Sequence, residues 1–366
     1  MSEGSATEGS AISAEPLPRT ATLADTWVAY RAAYVQDDGR VIDPAGGGRS
    51  TSEGQAYALV RAVWMDDPES FALVRTWTID NLQGGDPTAL PAWRWGKTDG
   101  GEWTILDAAP ASDADQWLAW ALLGAAERWD EPAYAEQARA LLARIWDEEV
   151  LLIEGHPVLL PGPWARKMDP VRLNPSYWLP FAWRTFALAD PDHPWASLIG
   201  PAYDLFDRCR AGAKLPPDWC HVRLTDGAVV AAPTGYEADG DFGFEAFRIA
   251  WTLAAEASWY REPRAKRLLK DFTALGKRWE SEGLIPAVIA PDGRGRVGWD
   301  YPGMYGAILP ALGQTRASVA EALWTRALEP RRLAHGWGDP ADYYGQNWVW
   351  FGWALWRGAL APMGPT

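Results

Sequence analysis

Pro68-Glu69-Ser70-Phe71-Ala72-Leu73-Val74 carries the reading that decides the fold. Proline stands just inside a helix start, where its missing N–H costs nothing, and Glu69 in the first turn complements the positive end of the helix dipole. From Phe71 onward apolar residues return three and four positions apart, and the same period runs through most of the chain. Stretches that alternate apolar and polar residues are scarce. Clusters of Pro, Gly and Asp divide the pattern into about twelve helical segments. They are predicted to begin near Leu23, Ser52, Pro68, Ser112, Pro132, Ser176, Pro194, Gly243, Pro263, Gly303, Arg316 and Tyr343. Two longer irregular stretches, 84–111 and 212–242, are predicted to hold short β-hairpins or lids.

Twelve helices without a parallel-sheet pattern point to an all-α toroid of six helical hairpins, an (α/α)6 barrel. Inner and outer helices alternate in such a ring and neighbours run antiparallel, so every even-numbered helix presents its N-terminus on one face. The expected domain is a single unit over 22–362. Residues 1–21, rich in Ser, Gly, Ala and Glu, are expected to be a disordered leader or a vector-derived remnant, since they lack the basic start and apolar stretch of a secretory signal.

Composition narrows the function. Of 366 residues, 48% are apolar and 22% charged, enough for a large core. Lys and Arg total 34 against 48 Asp and Glu, a net charge of −14 that disfavours nucleic acid or an anionic membrane as partner. No apolar run approaches the roughly 18 residues of a membrane-spanning helix. The 25 Trp residues offer flat apolar faces for stacking, as sugar-handling proteins use, although a Trp-heavy helical core accounts for many of them. His156, His193, His221 and His335 are scattered, so neither a metal site nor a cofactor is expected. Neither a G-x-S-x-G elbow nor a complete P-loop occurs. Cys209 and Cys220 lie eleven apart, a spacing that supplies no pairing geometry, and two unpaired buried thiols are expected.

The shared face of even-numbered helices is where acids gather. The second helix opens Thr51-Ser52-Glu53-Gly54-Gln55, with Ser52 and Gln55 at capping-box spacing, and the fourth opens Ala111-Ser112-Asp113-Ala114-Asp115. The eighth opens Gly243-Phe244-Glu245-Ala246-Phe247-Arg248. Any one of these acids is ordinary in a first turn, because it complements the dipole. Glu53, Asp113, Asp115 and Glu245 converging on one face beside aromatics suggest glycosidic hydrolysis, in which one carboxyl group donates a proton and another activates water. Trp93, Trp95 and Trp103 are predicted stacking platforms along a groove. Tyr177, Trp178, Tyr301, Tyr343 and Tyr344, at inner-helix starts, are predicted to line the cleavage subsites. Trp117, Trp120, Trp348, Trp350, Trp353 and Trp356, within helices, are predicted mostly to be core.

These motifs resemble glycoside hydrolase family eight, whose Ser-Glu-Gly-Gln helix start is matched within Thr51–Gln55 and whose A-[ST]-D-[AG]-D signature is matched by Ala111–Asp115. Within that family the likeness is to the endoglucanases of bacterial cellulose-synthesis operons. It rests on GRVIDP (39–44), LPAWRWGK (90–97), LDAAPASDAD (106–115), LNPSY (173–177) and PPDW (216–219), and covers about residues 24–356. The resemblance implies an inverting β-1,4-glucanase acting on cellulose, with Glu53 as general acid and Asp115, with Asp113, holding the sugar. Xylan or chitosan as substrate, or a weakened glucan-binding protein, are the alternatives. The family's base Asp is replaced by Glu245 and the Tyr before it by Phe244. The base is therefore Glu245, or Asp241 or Asp239 in its place, with Arg248 as a partner of Glu245. The resemblance also implies a periplasmic or secreted enzyme, a functional link to cellulose synthase, and no cofactor. A monomer is expected.

Overall fold

The structure is a computed structural model and describes residues 16–365. Outer and inner helices alternate along the chain: α1 (Leu23–Tyr34), α2 (Ser52–Trp64), α3 (Pro68–Leu82), α4 (Ser112–Trp129), α5 (Pro132–Glu149), α6 (Pro180–Ala189), α7 (Ile199–Arg208) and α8 (Phe247–Trp259). Next, α9 (Pro263–Leu268) and α10 (Thr273–Glu282), joined by a 3-10 turn at Leu269–Phe272, fill one outer place. The ring is completed by α11 (Pro302–Thr315), α12 (Ala317–Leu323) and α13 (Tyr343–Trp356). Contacts run α2 to α4 to α6 to α8 to α11 to α13 and back to α2, so the inner ring closes. This is the (α/α)6 toroid that the periodicity predicts.

Burial separates the two layers. Every residue of α2 from Gly54 to Val63 is buried, as an inner helix packed on all sides requires. In contrast, α5 buries a stripe of Gln137, Ala138, Leu141, Leu142, Ile145 and Glu149, the three-and-four spacing of a helix with one wet face. The tightest inner crossing joins α11 to α13, where a Cβ on Gly352 would overlap the Gly306 carbonyl and one on Gly306 would overlap Val349. Trp117, Trp120, Trp348 and Trp350 are core as expected, and Trp353 and Trp356 are partly buried against it.

Short antiparallel strands wall the end of the barrel where the inner helices begin. β1 (Ser50–Thr51) runs into α2 and pairs with β2 (Arg94–Lys97), which pairs with β3 (Trp103–Asp107). The hairpin of β4 (Val150–Ile153) and β5 (His156–Leu159) follows α5. A second three-stranded sheet joins β6 (Val171–Leu173), β7 (Cys220–Val222) and β8 (Val229–Val230), and β9 (Arg332–Leu333) with β10 (Gly336–Trp337) precedes α13. The two irregular stretches thus hold the β2–β3 and β7–β8 hairpins.

Several expectations need correction. Residues 1–15 lie outside the described residues, but 16–21 belong to the domain: the Leu17 N–H donates to the Leu333 carbonyl at 3.2 Å, Arg332 donates to the Pro18 carbonyl at 2.9 Å, and Ala21 is buried. The cysteines are paired, not free. Cys209 at the end of α7 and Cys220 at the start of β7 have Cα atoms 5.6 Å apart and form a disulfide. Closing a loop of this length contributes about 3 kcal/mol on the chain-entropy account. The capping box expected at the start of α2 does not form. Thr51 caps α2 by accepting from the Gly54 N–H at 3.0 Å, which frees Gln55 to accept from the Val41 N–H at 2.6 Å. Ser112 donates instead to the Leu160 carbonyl at 2.6 Å.

Candidate active site

Each of the six inner helices brings a side chain to one cleft at or just before its N-terminus. Glu53 lies in the first turn of α2 and Asp113 in that of α4; Tyr177 lies in the 3-10 turn before α6 and Glu245 two residues ahead of α8. Tyr301 caps α11, and Tyr343 and Tyr344 open α13. With Trp93, Phe244 and Trp299 they line a cleft of about 840 Å³. A neighbouring hollow of about 460 Å³, walled by Trp164 and Trp219, shares Trp93, Ala111, Tyr177 and Glu245 with it. The two therefore form one groove, with Glu245 at the junction.

Arg248, in the first turn of α8 and 3% exposed, organises the floor. Its Nη1 donates at 2.9 Å to Glu53 Oε2 and at 2.9 Å to Asp113 Oδ2. Its Nη2 donates to Ser176 Oγ at 2.7 Å and to Glu245 Oε2. Glu245 Oε2 also accepts from Asn174 Nδ2 at 3.0 Å. Glu53 and Glu245 are thus held on different nitrogens of one guanidinium, neither touching nor free to drift apart. Tyr343, bonded to Thr51 Oγ1 at 2.9 Å, reaches Glu53 Oε1 at 3.4 Å.

Three carboxyl groups around one cation cannot all be charged cheaply. Burial, reinforced by Asp113 and Glu245 against the pull of Arg248, pushes Glu53 up to about 8. Burial pushes Asp113 up to about 6, with Arg248 opposing and the Glu245 charge adding. Glu53 thus holds its proton at neutral pH at the wall of the cleft, while Glu245 Oε2 accepts hydrogen bonds from Arg248 and Asn174. No group of three or more His, Cys, Asp or Glu side chains among the described residues is arranged to hold a metal ion.

The structure brings together Glu53, Asp113, Glu245, Arg248, Trp93, Tyr177, Tyr301, Tyr343 and Tyr344, and leaves four predicted residues elsewhere. Asp115 is 1% exposed and does not line the cleft. It faces the fully buried Glu149 of α5, and none of their four carboxyl oxygens has a hydrogen-bond partner among the described residues. Two residues beyond Asp113 is more than half a helical turn, so its side chain points away from the cleft. Trp178 is 1% exposed, donates to the Leu159 carbonyl at 3.0 Å and packs on Phe206, so it is core. Trp95 and Trp103 lie on the far side of the β1–β2–β3 sheet. Neither substitute base reaches the cleft: Asp239 is bound by Arg172 and His221, and Asp241 by Arg296.

Sequence reasoning missed Asp218, whose Oδ1 accepts the N–H groups of Gly243, Glu245 and Ala246 at 2.9, 3.2 and 2.7 Å and so fixes the backbone that carries Glu245. This cap comes from 25 or more residues away, beyond the reach of any local capping pattern. It also missed Trp164, Trp219 and Trp299. Trp219 stands in the PPDW motif, but nothing local separates its half-buried, groove-lining ring from a core one.

A toroid whose inner-helix N-termini surround paired carboxyl groups in an aromatic groove defines a glycoside-hydrolysing class of protein. The family model "Glycosyl hydrolases family 8" matches residues 10–299, and the chain belongs to that family. It is a glycoside hydrolase. Over 336 residues it is 38% identical to an endoglucanase of Xanthomonas axonopodis pv. citri, spanning 88% of this chain and 84% of that one. An endoglucanase of Escherichia coli K12 is 31% identical over 339 residues, 88% of this chain and 86% of the other. Among solved structures, the endo-1,4-D-glucanase of Vibrio fischeri ES114 superposes with a TM-score of 0.79 at 27% identity, covering 91% of this chain and 94% of that one.

Proposed function

We propose that the chain is an endo-β-1,4-glucanase that hydrolyses cellulose or a related β-glucan with inversion, with Glu53 as general acid and Glu245 as general base. The observation that carries this reading is the Arg248 floor, which sets a protonated Glu53 and an accepting Glu245 on separate nitrogens of one guanidinium. A glucan lying in the groove stacks its pyranose faces on Trp93, Trp299, Trp164 and Trp219 and presents its glycosidic oxygen to Glu53. Glu53 donates its proton to that oxygen as the C–O bond breaks. Glu245 takes a proton from the water that attacks the anomeric carbon from the opposite face. Asp113 and Tyr177 stand beside the same sugar. The curated relatives' names support glucan as substrate.

Of the four acids on the cleft rim, Asp43 pairs with Arg49 at 2.8 Å and Asp300 with Arg331 at 2.6 Å, while Asp339 and Asp342 meet no cationic side chain among the described residues, which keeps cationic chitosan as the second reading. A periplasmic or secreted location is part of the proposal, supported by the disulfide, which persists in oxidising compartments. A monomer is part of the proposal, and the link to cellulose synthase rests on the motif resemblance.

The test is cellohexaose hydrolysis by wild type, Glu53→Gln and Glu245→Gln, with fresh product read by NMR. The expected outcome is the α-anomer from wild type and a loss of about 10²–10⁴-fold in each variant. A β-anomer overturns inversion, and an active Glu245→Gln overturns the base.

A further inference from the structure

The β1–β2–β3 sheet has two faces with different uses. Strand alternation sends Arg94 and Gly96 to one side, where Gly96 packs against Leu106 and against Arg49 of the cleft rim. Trp95 and Trp103 point to the other, into a hollow of about 410 Å³ shared with Gln36, Arg40, Trp77, Asp80 and Asn81. Their rings stack at 5.0 Å with 16° between planes, and Trp77 meets Trp95 edge-on at 5.3 Å. The Arg40 guanidinium lies 4.5 Å from the Trp95 ring and 4.4 Å from that of Trp103. Arg40 is itself 7% exposed and anchored to Ser50 Oγ at 2.9 Å and to the Gly48 carbonyl. Yet Trp103 remains 47% exposed.

We propose that this outer face is a second glucan-binding site, holding a β-linked polysaccharide chain outside the catalytic groove. A half-exposed indole, rigidly backed by a second indole and a buried arginine, is an ordered apolar plane in water. It matches the C–H face of a pyranose, and holding the ring in place beforehand removes most of the ordering cost of binding. The rim supplies what the sugar's edge needs: the Asp80 carboxylate accepts from hydroxyls, and the Asn81 and Gln36 amides both donate and accept. A nucleic-acid chain, the other ligand that stacks on tryptophan, is repelled by Asp38, Asp80 and the net charge of −14. The hollow does not touch Glu53 or Glu245, so it binds without cleaving and keeps the enzyme on an insoluble chain between cuts.

This proposal rests on the glucan reading, and its test separates the two. Adsorption to insoluble cellulose is measured with the full chain carrying Glu53→Gln, alone and combined with Trp103→Ala or with Asp80→Ala/Asn81→Ala. Cellopentaose turnover is measured with the same outer-face changes in the active enzyme. The expected result is adsorption weakened about tenfold by Trp103→Ala, the worth of one lost indole face. A smaller loss follows from the rim variant, which leaves the hairpin intact if Trp103→Ala does not fold. Turnover of the soluble oligosaccharide stays within about twofold of wild type, because the substrate there is held by the groove alone. Unchanged adsorption overturns the proposal, as does a Trp103→Ala effect confined to self-association in sedimentation. Adsorption lost on mutation in a protein that hydrolyses no glucan sinks the catalytic reading and leaves the outer site standing.

Discussion

Asp113 shows how much one position controls. Its carboxylate shares Arg248 Nη1 with Glu53, and its charge is one of the forces that hold the Glu53 proton on. With Glu53 near 8 and proposed as the acid, kcat/KM on cello-oligosaccharide is expected to fall as pH rises through about 8, because a general acid must be protonated to act. Asp113→Asn removes a neighbouring negative charge, so Glu53 loses its proton at lower pH and the alkaline limb moves toward neutrality. A pH profile of the variant whose alkaline limb is unmoved or displaced upward overturns this ordering of charges. The same residue marks the limit of reading acids from sequence. Asp113 and Asp115 look alike in Ala-Ser-Asp-Ala-Asp, but one bonds the cleft arginine and the other faces Glu149. Position along the helix distinguishes them only once the direction of the groove is known.

Elements are where buried chemistry and packing meet. Asp115 on α4 and Glu149 on α5 face each other in the protein interior, and burial holds both well above the usual carboxylate range, with the charges of Asp113 and Glu148 adding at Asp115 and that of Asp115 adding at Glu149. The folded state therefore keeps protons that an unfolded chain releases above about pH 4. The pair's contribution to stability is highest in acid and declines as pH rises. Asp115→Asn/Glu149→Gln cannot titrate, so its Tm relative to wild type is expected to climb between pH 5 and pH 9. Two parallel curves of Tm against pH would sink this account. Gly352 tests packing instead. Gly352→Ala forces α13 off α11 and is expected to destabilise by about 3 kcal/mol, the upper end for an overpacked core, in a urea titration. Nine of the twelve predicted helix starts match the structure to within a residue, because Pro, acids and three-to-four spacing are local signals legible in the sequence. The bend between α9 and α10 and the late start of α8 were not, since the Asp218 cap and the surrounding ring impose them.

At the scale of the molecule, ring closure makes the parts depend on one another. Contacts from α13 back to α2 join the last inner helix to the first, so the domain is expected to unfold in one transition with coincident tryptophan fluorescence and circular dichroism. A chain ended before Tyr343 lacks both that closure and the two tyrosines of the cleft. It is expected to lose the cooperative transition and all turnover, and a residual sharp transition would contradict the dependence. The toroid, its active face and the carboxylates Glu53, Asp113 and Glu245 were readable from period and motif. The disulfide, the outer tryptophan face and the fate of Asp115 were not, because each is decided by segments that meet only after folding.

The joining of α13 to α2 also sets a clock. The ribosome makes Glu53 early and Glu245 midway, but the wall that completes their cleft emerges only with residues 343 and 344. A nascent chain therefore carries both carboxyl groups long before the cleft that surrounds them is complete.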